Sequence, residues 1–231
     1  KSCIIVYREN WKNANSRFKY NLTSQYDVGS CQFPQQNKTL GDDDMQNGSN
    51  AGPIVGAVQK NRPQGVEISD DGTKIFIIQL GHGTDGEGET INTRLLEYEL
   101  STPFDLDTMS LVLSGGMELE DECNNPMGIR LSSDGKRLWC VDHLNDSAKI
   151  VQISLDLAFS TSSFTIDGTV NIANEGGFRN LDQPRGIAFG KDGLKMYIGG
   201  DRTIDAAIGD VVNEFNLVCP FNIIGGKCPS I

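Results

Sequence analysis

The sequence predicts an all-β fold, and three observations lead to that prediction. One motif occurs three times, each copy alternates apolar with other residues as a half-buried strand does, and no segment shows a convincing helical period. Glycine supplies 26 of the 231 residues, above the average share of about 7% and typical of a turn-rich chain. With 38% hydrophobic and 22% charged residues, the composition is that of a folded chain with a sizeable core.

The repeated motif combines two strands with a tight turn. Its copies lie at residues 63–76, 126–139 and 184–197, and each begins with Pro-x-Gly. Asp-Gly follows the first strand, and its glycine accepts the positive φ that a tight hairpin requires. The second strand carries an aromatic residue at a fixed position: Phe76, Trp139 and Tyr197. We expect these rings to repeat one packing role between neighbouring sheets.

A second motif marks the end of a third strand. It is a leucine with an aromatic residue four positions later, as in Leu22/Tyr26, Leu100/Phe104, Leu155/Phe159 and Leu217/Phe221. A weaker fourth strand is expected at 111–113 and at 164–166. Four antiparallel strands in roughly 60 residues match a propeller blade, somewhat longer than the usual size. Regular short strands also occur in β-sandwiches and β-solenoids, which are the alternatives.

We therefore expect residues 1–231 to form one β-propeller domain of about four blades. The units are 1–62, with an insertion at 32–60, then 63–125, 126–183 and 184–231. The first blade is incomplete, because it begins at the second strand and lacks the Pro-x-Gly strand. Three arrangements are compatible with this count: the ring closes within the chain, the chain is a piece of a larger propeller, or it shares blades with a neighbouring subunit. Sharing is an option because an open edge strand can pair with another chain.

The repeats resemble those of known proteins. The Pro-x-Gly and Asp-Gly pattern is similar to the repeats of WD40-like and YVTN-type β-propellers, over residues 63–222 and more faintly over 3–31. Residues 100–106, Leu-Ser-Thr-Pro-Phe-Asp-Leu, resemble repeats in large marine viral and bacterial surface or tail proteins. The resemblance implies a fold and says little of function, because propellers host many unrelated activities.

Cysteines and sequons favour a secreted, disulfide-bonded glycoprotein. The six cysteines form no CxxC pair and allow 15 pairings: Cys3, Cys31, Cys123, Cys140, Cys219 and Cys228. A bond from Cys3 to Cys219 or Cys228 would close the ring, and a bond between Cys219 and Cys228 would instead close a small terminal loop. Cys123 is expected to pair with the blade that follows it, and Cys140 is a candidate for a buried free thiol. The glycosylation candidates are Asn21, Asn37, Asn47 and Asn145. The chain does not begin with Met, so we expect a removed signal peptide or a piece of a longer product.

The charge limits the partners. A net charge of −11 and a pI near 4.6 disfavour nucleic acid, which requires clustered Lys and Arg. No apolar stretch is long enough to span a membrane. We expect self-assembly or other protein subunits as partners, with a glycan as a possible ligand.

The loops after each second strand hold the candidate metal ligands. Their acidic residues are Asp85, Glu87, Asp142, Asp146, Asp201 and Asp205, whose oxygens suit Ca²⁺. Solvated acidic turns are the competing interpretation. No cofactor is expected apart from that Ca²⁺. No catalytic residue is assigned: G-x-S-x-G is absent, and the two histidines, His82 and His143, lie near acids in a way that chance also gives.

These observations favour a non-catalytic role. The main interpretation is a structural or recognition module of a surface appendage, filament or virion, and not an enzyme. One alternative is a metal-dependent lactonase-like hydrolase, because gluconolactonase-like propellers resemble this repeat. In those proteins an Asn between the Pro and the Gly ligates the metal, whereas here the position holds Gln64, Met127 and Arg185. A carbohydrate-binding lectin is the other alternative.

Overall fold

The structure is a computed structural model, and it describes residues 2–8, 15–21, 36–40, 62–80, 92–119, 121–143, 148–172, 183–201 and 211–225. The described residues form fourteen β-strands in four antiparallel sheets, with one short 3-10 turn at Leu106–Thr108. The chain divides into two compact units, Lys1–Glu120 and Asp121–Ile231. The all-β prediction is confirmed, and the strand order within each sheet is that of a propeller blade.

The first unit contains two sheets. One has three strands, β1 (Ser2–Arg8), β2 (Asn15–Asn21) and β3 (Gln36–Leu40). The other has four strands in sequential order, β4 (Arg62–Ile68), β5 (Lys74–Leu80), β6 (Arg94–Leu100) and β7 (Met109–Glu118). Among the described residues this first sheet has three strands, one fewer than the sheet that follows it. The expected insertion at 32–60 is corrected, because strand β3 lies inside it and pairs with β2.

The second unit repeats the same plan. Its first sheet has four strands, β8 (Pro126–Leu131), β9 (Arg137–Asp142), β10 (Lys149–Leu155) and β11 (Phe164–Asn171). Its second sheet has three described strands, β12 (Gln183–Phe189), β13 (Lys195–Asp201) and β14 (Val211–Asn216). Both predicted fourth strands lie within strands of the structure, β7 and β11.

The Pro-x-Gly motif forms a bulge at the start of each first strand. The register with the neighbouring strand shifts between Pro63 and Gly65, between Pro126 and Gly128, and likewise between Pro184 and Gly186. Proline has no N–H to give to the ladder, and a bulge is a position that tolerates it. The bulge turns one residue of each copy out of the regular pairing.

The two sequence motifs meet in one structural device. The glycines of the three Asp-Gly turns have positive φ, and a Cβ on any of them would overlap the ring of a phenylalanine from the same sheet. These rings belong to Phe104, Phe159 and Phe221, each of which donates its backbone N–H to the glycine carbonyl at 2.8 Å. The hairpin and the Leu-x-x-x-Phe corner are therefore one interlocked unit in all three sheets.

The central strands of the two four-stranded sheets, β5, β6, β9 and β10, are largely buried on both faces. In the first unit, one face of the β4–β7 sheet packs Ile75, Ile77, Leu96 and Tyr98 into an apolar cluster. In the second unit, Trp139 packs across onto the β12–β14 sheet, with its ring centroid 4.3 Å from that of Phe189. Trp139 thus has the inter-sheet packing role that its repeat position predicts. Tyr197, its counterpart in the next sheet, is only half-buried.

Candidate functional site

The chemistry of the strand ends differs between the three repeats. Opposite the proline of each motif, the second strand places Gln79, Asp142 or Gly200 at the same register position. The backbone position is thus the same in all three repeats. Its side chain is an amide in the first, a carboxyl in the second and absent in the third. Because the scaffold is constant there, a difference between the copies is free to serve function rather than packing. Asp142 is the copy with acid–base chemistry.

Asp142 is a fully buried carboxyl that is only partly hydrogen-bonded. Its Oδ1 accepts the backbone N–H of Asn125 at 3.1 Å, and the N–H of Asn124 also donates to the carboxyl. Its Oδ2 is buried and accepts no hydrogen bond. The Nζ of Lys149 lies 3.7 Å from Oδ2, an ion-pair distance that is longer than a hydrogen bond. Among the described residues, Oδ2 therefore has a nearby ammonium but no hydrogen-bond donor.

Burial governs the acidity of this group. Desolvation raises the pKa of Asp142 above its ordinary value of 3.8, and the Lys149 ammonium and the two backbone N–H groups offset only part of that rise. A carboxyl whose pKa is moved towards neutrality by its surroundings is typical of acid–base sites. Lys149 itself is about a quarter exposed, at 26% of its side chain, and so connects the buried carboxyl with the surface.

Asn125 fixes the strand ends around Asp142. The backbone N–H of His143 donates to the Asn125 carbonyl at 2.9 Å, and the Asn125 side-chain amide donates to the His143 carbonyl. The imidazole of His143 is almost buried, at 9% exposure. We call the group formed by Asn124, Asn125, Asp142, His143 and Lys149 the Asp142 site.

A disulfide lies directly beside the site. Cys123 bonds to Cys140 with a Cα–Cα distance of 6.6 Å, and both residues are fully buried. The prediction that Cys123 pairs with the blade that follows it is confirmed, because Cys140 lies on β9. The suggestion of a free thiol at Cys140 is wrong. Cys219 is also disulfide-bonded. The side chains of Cys3 and Cys228 lie outside the described part of the chain, so a bond from Cys3 to Cys219 or Cys228 stays a prediction.

The described side chains do not fit a divalent metal. No group of three or more His, Cys, Asp and Glu side chains gathers among them. At the positions where gluconolactonase-like propellers would carry an asparagine ligand, Arg185 points Nη1 at the Met127 Sδ, 3.4 Å away. An ammonium already lies 3.7 Å from the free oxygen of Asp142. A cation and a thioether disfavour Ca²⁺, so no step below runs through a metal.

Most of the other predicted site residues lie outside the part of the chain that the structure describes. Asp85, Glu87, Asp146 and Asp205 are among them, as are Asn47, Asn145 and Cys31. Asp201 ends β13, Asn21 ends β2 and Asn37 belongs to β3, and their side chains are likewise outside the described part. The metal and glycosylation assignments of these residues therefore remain predictions.

Sequence reasoning named Asp142 but missed its partners. Lys149 begins β10 and pairs with Asp142 in the strand register, which only the folded sheet reveals. Asn124 and Asn125 stand just before the Pro-x-Gly motif, and the Asn-Asn-Pro sequence there was the available signal. Asparagine before proline is common in turns, so that signal alone does not point to a site.

Comparison with known proteins gives structural likeness only. No protein-family profile and no curated protein sequence matches the chain. A luciferin-regenerating enzyme is 16% identical with a TM-score of 0.44, covering 89% of this chain and 52% of that chain. A periplasmic gluconolactonase of Pseudomonas aeruginosa is 12% identical with a TM-score of 0.45, covering 85% and 46%. A candidate 6-phosphogluconolactonase of Bacteroides fragilis is 13% identical with a TM-score of 0.44, covering 88% and 51%.

The comparisons correct the expected role. The structures named above are enzymes, so they do not support the non-catalytic structural or recognition module expected from the sequence. At this identity the likeness shows the fold alone. The chain spans about half the length of these structures. The likeness to WD40-like, YVTN-type and tail-protein repeats stays a prediction.

Proposed function

We propose that the chain is a hydrolase of the lactonase kind, acting on cyclic esters with Asp142 as its acid–base carboxyl. One observation supports the proposal above all. Asp142 is fully buried at a strand end, its Oδ2 accepts no hydrogen bond, and a lysine ammonium stands 3.7 Å away. The equivalent positions of the other repeats hold Gln79 and Gly200, so the carboxyl is particular to this copy of the repeat.

The chemistry follows from the free oxygen. Asp142 Oδ2 accepts a proton from a water molecule as the water oxygen adds to the ester carbonyl carbon. The ring C–O bond then breaks, and the protonated Asp142 returns the proton to the departing alkoxide, which leaves a hydroxy acid. The raised pKa of Asp142 makes it a stronger base than an exposed carboxylate and allows it to hold the proton between the two steps.

Lys149 has a supporting role. Its ammonium keeps the adjacent carboxyl ionised before water attacks, and it is a donor near the negative oxygen that develops on the ester carbonyl. The two backbone N–H groups of Asn124 and Asn125 hold the other carboxyl oxygen, so that Oδ2 is the oxygen left for the reaction.

The proposal is tested with a panel of lactones and linear esters of graded ring size. We expect turnover of at least one lactone, and we expect Asp142→Asn to lower kcat by about 10²-fold or more, the usual contribution of a general acid–base group. Asp167→Asn is the matched control, since Asp167 is an exposed carboxylate of the same sheet that binds Gln152 and Ser154. Absence of turnover, or an Asp142→Asn variant as active as wild type, would contradict the proposal.

We further propose an oxidising location, either extracellular or periplasmic. The support is the disulfide between Cys123 and Cys140, since such bonds persist in oxidising compartments. Among the described residues no helix is long and apolar enough to cross a membrane. We expect protein made in an oxidising compartment to show no reactive thiol at either cysteine by maleimide labelling and mass spectrometry. Quantitative labelling of both would contradict the assignment.

A further inference from the structure

The segment that carries Asn124 and Asn125 is fastened to β9 at two points. Residues 121–125, called the 121–125 segment, lead into β8. Cys123 of this segment bonds to Cys140, and two residues further along Asn125 donates its N–H to Asp142. Cys140 and Asp142 are likewise two residues apart, so both lie on one face of β9. The disulfide and the hydrogen bond are thus consecutive links between the same segment and the same strand face.

The geometry points to the Cys123–Cys140 disulfide as a positioning element of the Asp142 site. By fixing Cys123 on β9, it holds the next two residues with their N–H groups directed at the Asp142 carboxyl. This inference rests on the proposed function for its role in catalysis, but the positioning itself does not depend on any reaction.

The surroundings of the carboxyl explain why the link matters. Lys149 of β10 faces Oδ2, His143 follows Asp142 in the chain, and the 121–125 segment supplies the donors to Oδ1. Of these three, only the segment is an irregular connection, whereas Lys149 and Asp142 are paired in the sheet register. The sheet holds the lysine whether or not the disulfide is present. The two N–H donors are held by the disulfide and by the Asn125–His143 hydrogen bonds.

Loss of the disulfide therefore has a directional effect. If the two N–H donors turn away while the carboxyl stays buried, the carboxylate loses hydrogen bonds that favour its charged form, and its pKa rises further. A hydrogen bond to the charged form of a group shifts the pKa of that group by about one unit or more. In catalysis, the acid limb of the rate profile moves to higher pH, because more of Asp142 is protonated at a given pH. A merely structural bond would lower the amount of folded protein and leave the profile in place.

The test compares wild type with the Cys123→Ala/Cys140→Ala double variant by NMR. We expect backbone hydrogen exchange of Asn125 and His143 to accelerate at least tenfold in the variant, while exchange at Ile153 on β10 is unchanged. We expect the Asp142 carboxyl, assigned through Asp142→Asn, to titrate about one pH unit higher. Wild type treated with dithiothreitol, a dithiol that reduces the bond to two thiols and itself becomes a cyclic disulfide, is expected to behave alike.

Ile153→Val is the control for general destabilisation. Ile153 is fully buried in the same sheet and pairs with Leu138, four residues before Asp142 on β9, so its shortening weakens the core away from the site. This variant is expected to keep the exchange of Asn125 and the titration of Asp142. Unchanged exchange and titration in the double variant would overturn the inference, as would global unfolding of both the variant and the reduced protein, since the role assigned is local. None of these readouts requires a substrate, so their failure is distinct from absence of lactone hydrolysis.

Discussion

At the residue scale, three phenylalanines adopt a backbone conformation that side chains rarely take. Phe104, Phe159 and Phe221 have φ of 61°, 56° and 55°, in the left-handed region that favours glycine. Each ring covers the glycine of its own Asp-Gly turn, and each N–H binds that glycine's carbonyl. The strain at one residue is thus balanced by apolar packing and a hydrogen bond at another.

This arrangement predicts that the turn glycines tolerate no side chain. Gly135→Ala places a Cβ into the Phe159 ring at a φ of 67°, and it is expected to destabilise the fold by about 1–3 kcal/mol or more. Denaturant unfolding monitored by Trp fluorescence measures the change. Asp156→Ala, in the exposed corner nearby, is the control and is expected to have a much smaller effect. Equal stability of Gly135→Ala and wild type would refute the claim that the Phe159 ring leaves no room for a side chain at this turn.

At the scale of strands and sheets, equivalent positions differ in what covers them. Ile150 on β10 and Val212 on β14 occupy the same place in consecutive sheets, because their cross-strand partners Val141 and Gly199 pair with the bulge glycines Gly128 and Gly186. Ile150 is fully buried where the β12–β14 sheet packs onto its own sheet, whereas Val212 is 74% exposed. The same strand pattern therefore contributes very different amounts of buried apolar area.

A pair of truncations tests this difference. Ile150→Ala is expected to destabilise the fold by about 2–5 kcal/mol, since it leaves a cavity in the apolar cluster between the two sheets. Val212→Ala is expected to change stability by less than about 0.5 kcal/mol. The free energy of unfolding from urea titration gives both values. Similar losses for the two variants would mean that Val212 is covered in solution.

The sequence predicts features that depend on neighbouring residues, and it does not predict contacts between residues far apart in the chain. Alternating strands and Asp-Gly turns depend on neighbouring residues, and the three repeats were located from them. Strand β3 was missed because Gln36–Leu40 is polar and lacks alternation. The left-handed phenylalanines were missed because a distant glycine selects their conformation. Lys149 was missed because it meets Asp142 only through the strand register.

At the scale of the whole molecule, the chain combines a net negative charge with a buried carboxyl site at Asp142. The net charge of −11 arises from 31 acidic and 20 basic side chains. The Asp142 site lies entirely within the second compact unit, and its residues come from the 121–125 segment, the end of β9 and the start of β10. The candidate chemistry rests on this site.

Stability should depend on pH through the same carboxyl. A folded-state pKa above the ordinary 3.8 means that the native protein binds the proton of Asp142 more tightly than the unfolded chain does. This contribution is fully present below pH 3.8 and is lost as the pH rises through the folded-state pKa. Asp142→Asn lacks the ionisation, so it is expected to lose less stability than wild type over that rise. Parallel curves in urea titrations at several pH values would contradict this expectation.

The central claim is that Asp142 is an acid–base carboxyl tuned by burial. The most direct measurement is the titration of its carboxyl carbon by NMR, with the resonance identified by its absence in Asp142→Asn. The account predicts a pKa clearly above the ordinary value of 3.8. A midpoint for Asp142 at or below 3.8 would show that the site holds an ordinary ion pair and would remove the basis for the proposed hydrolysis.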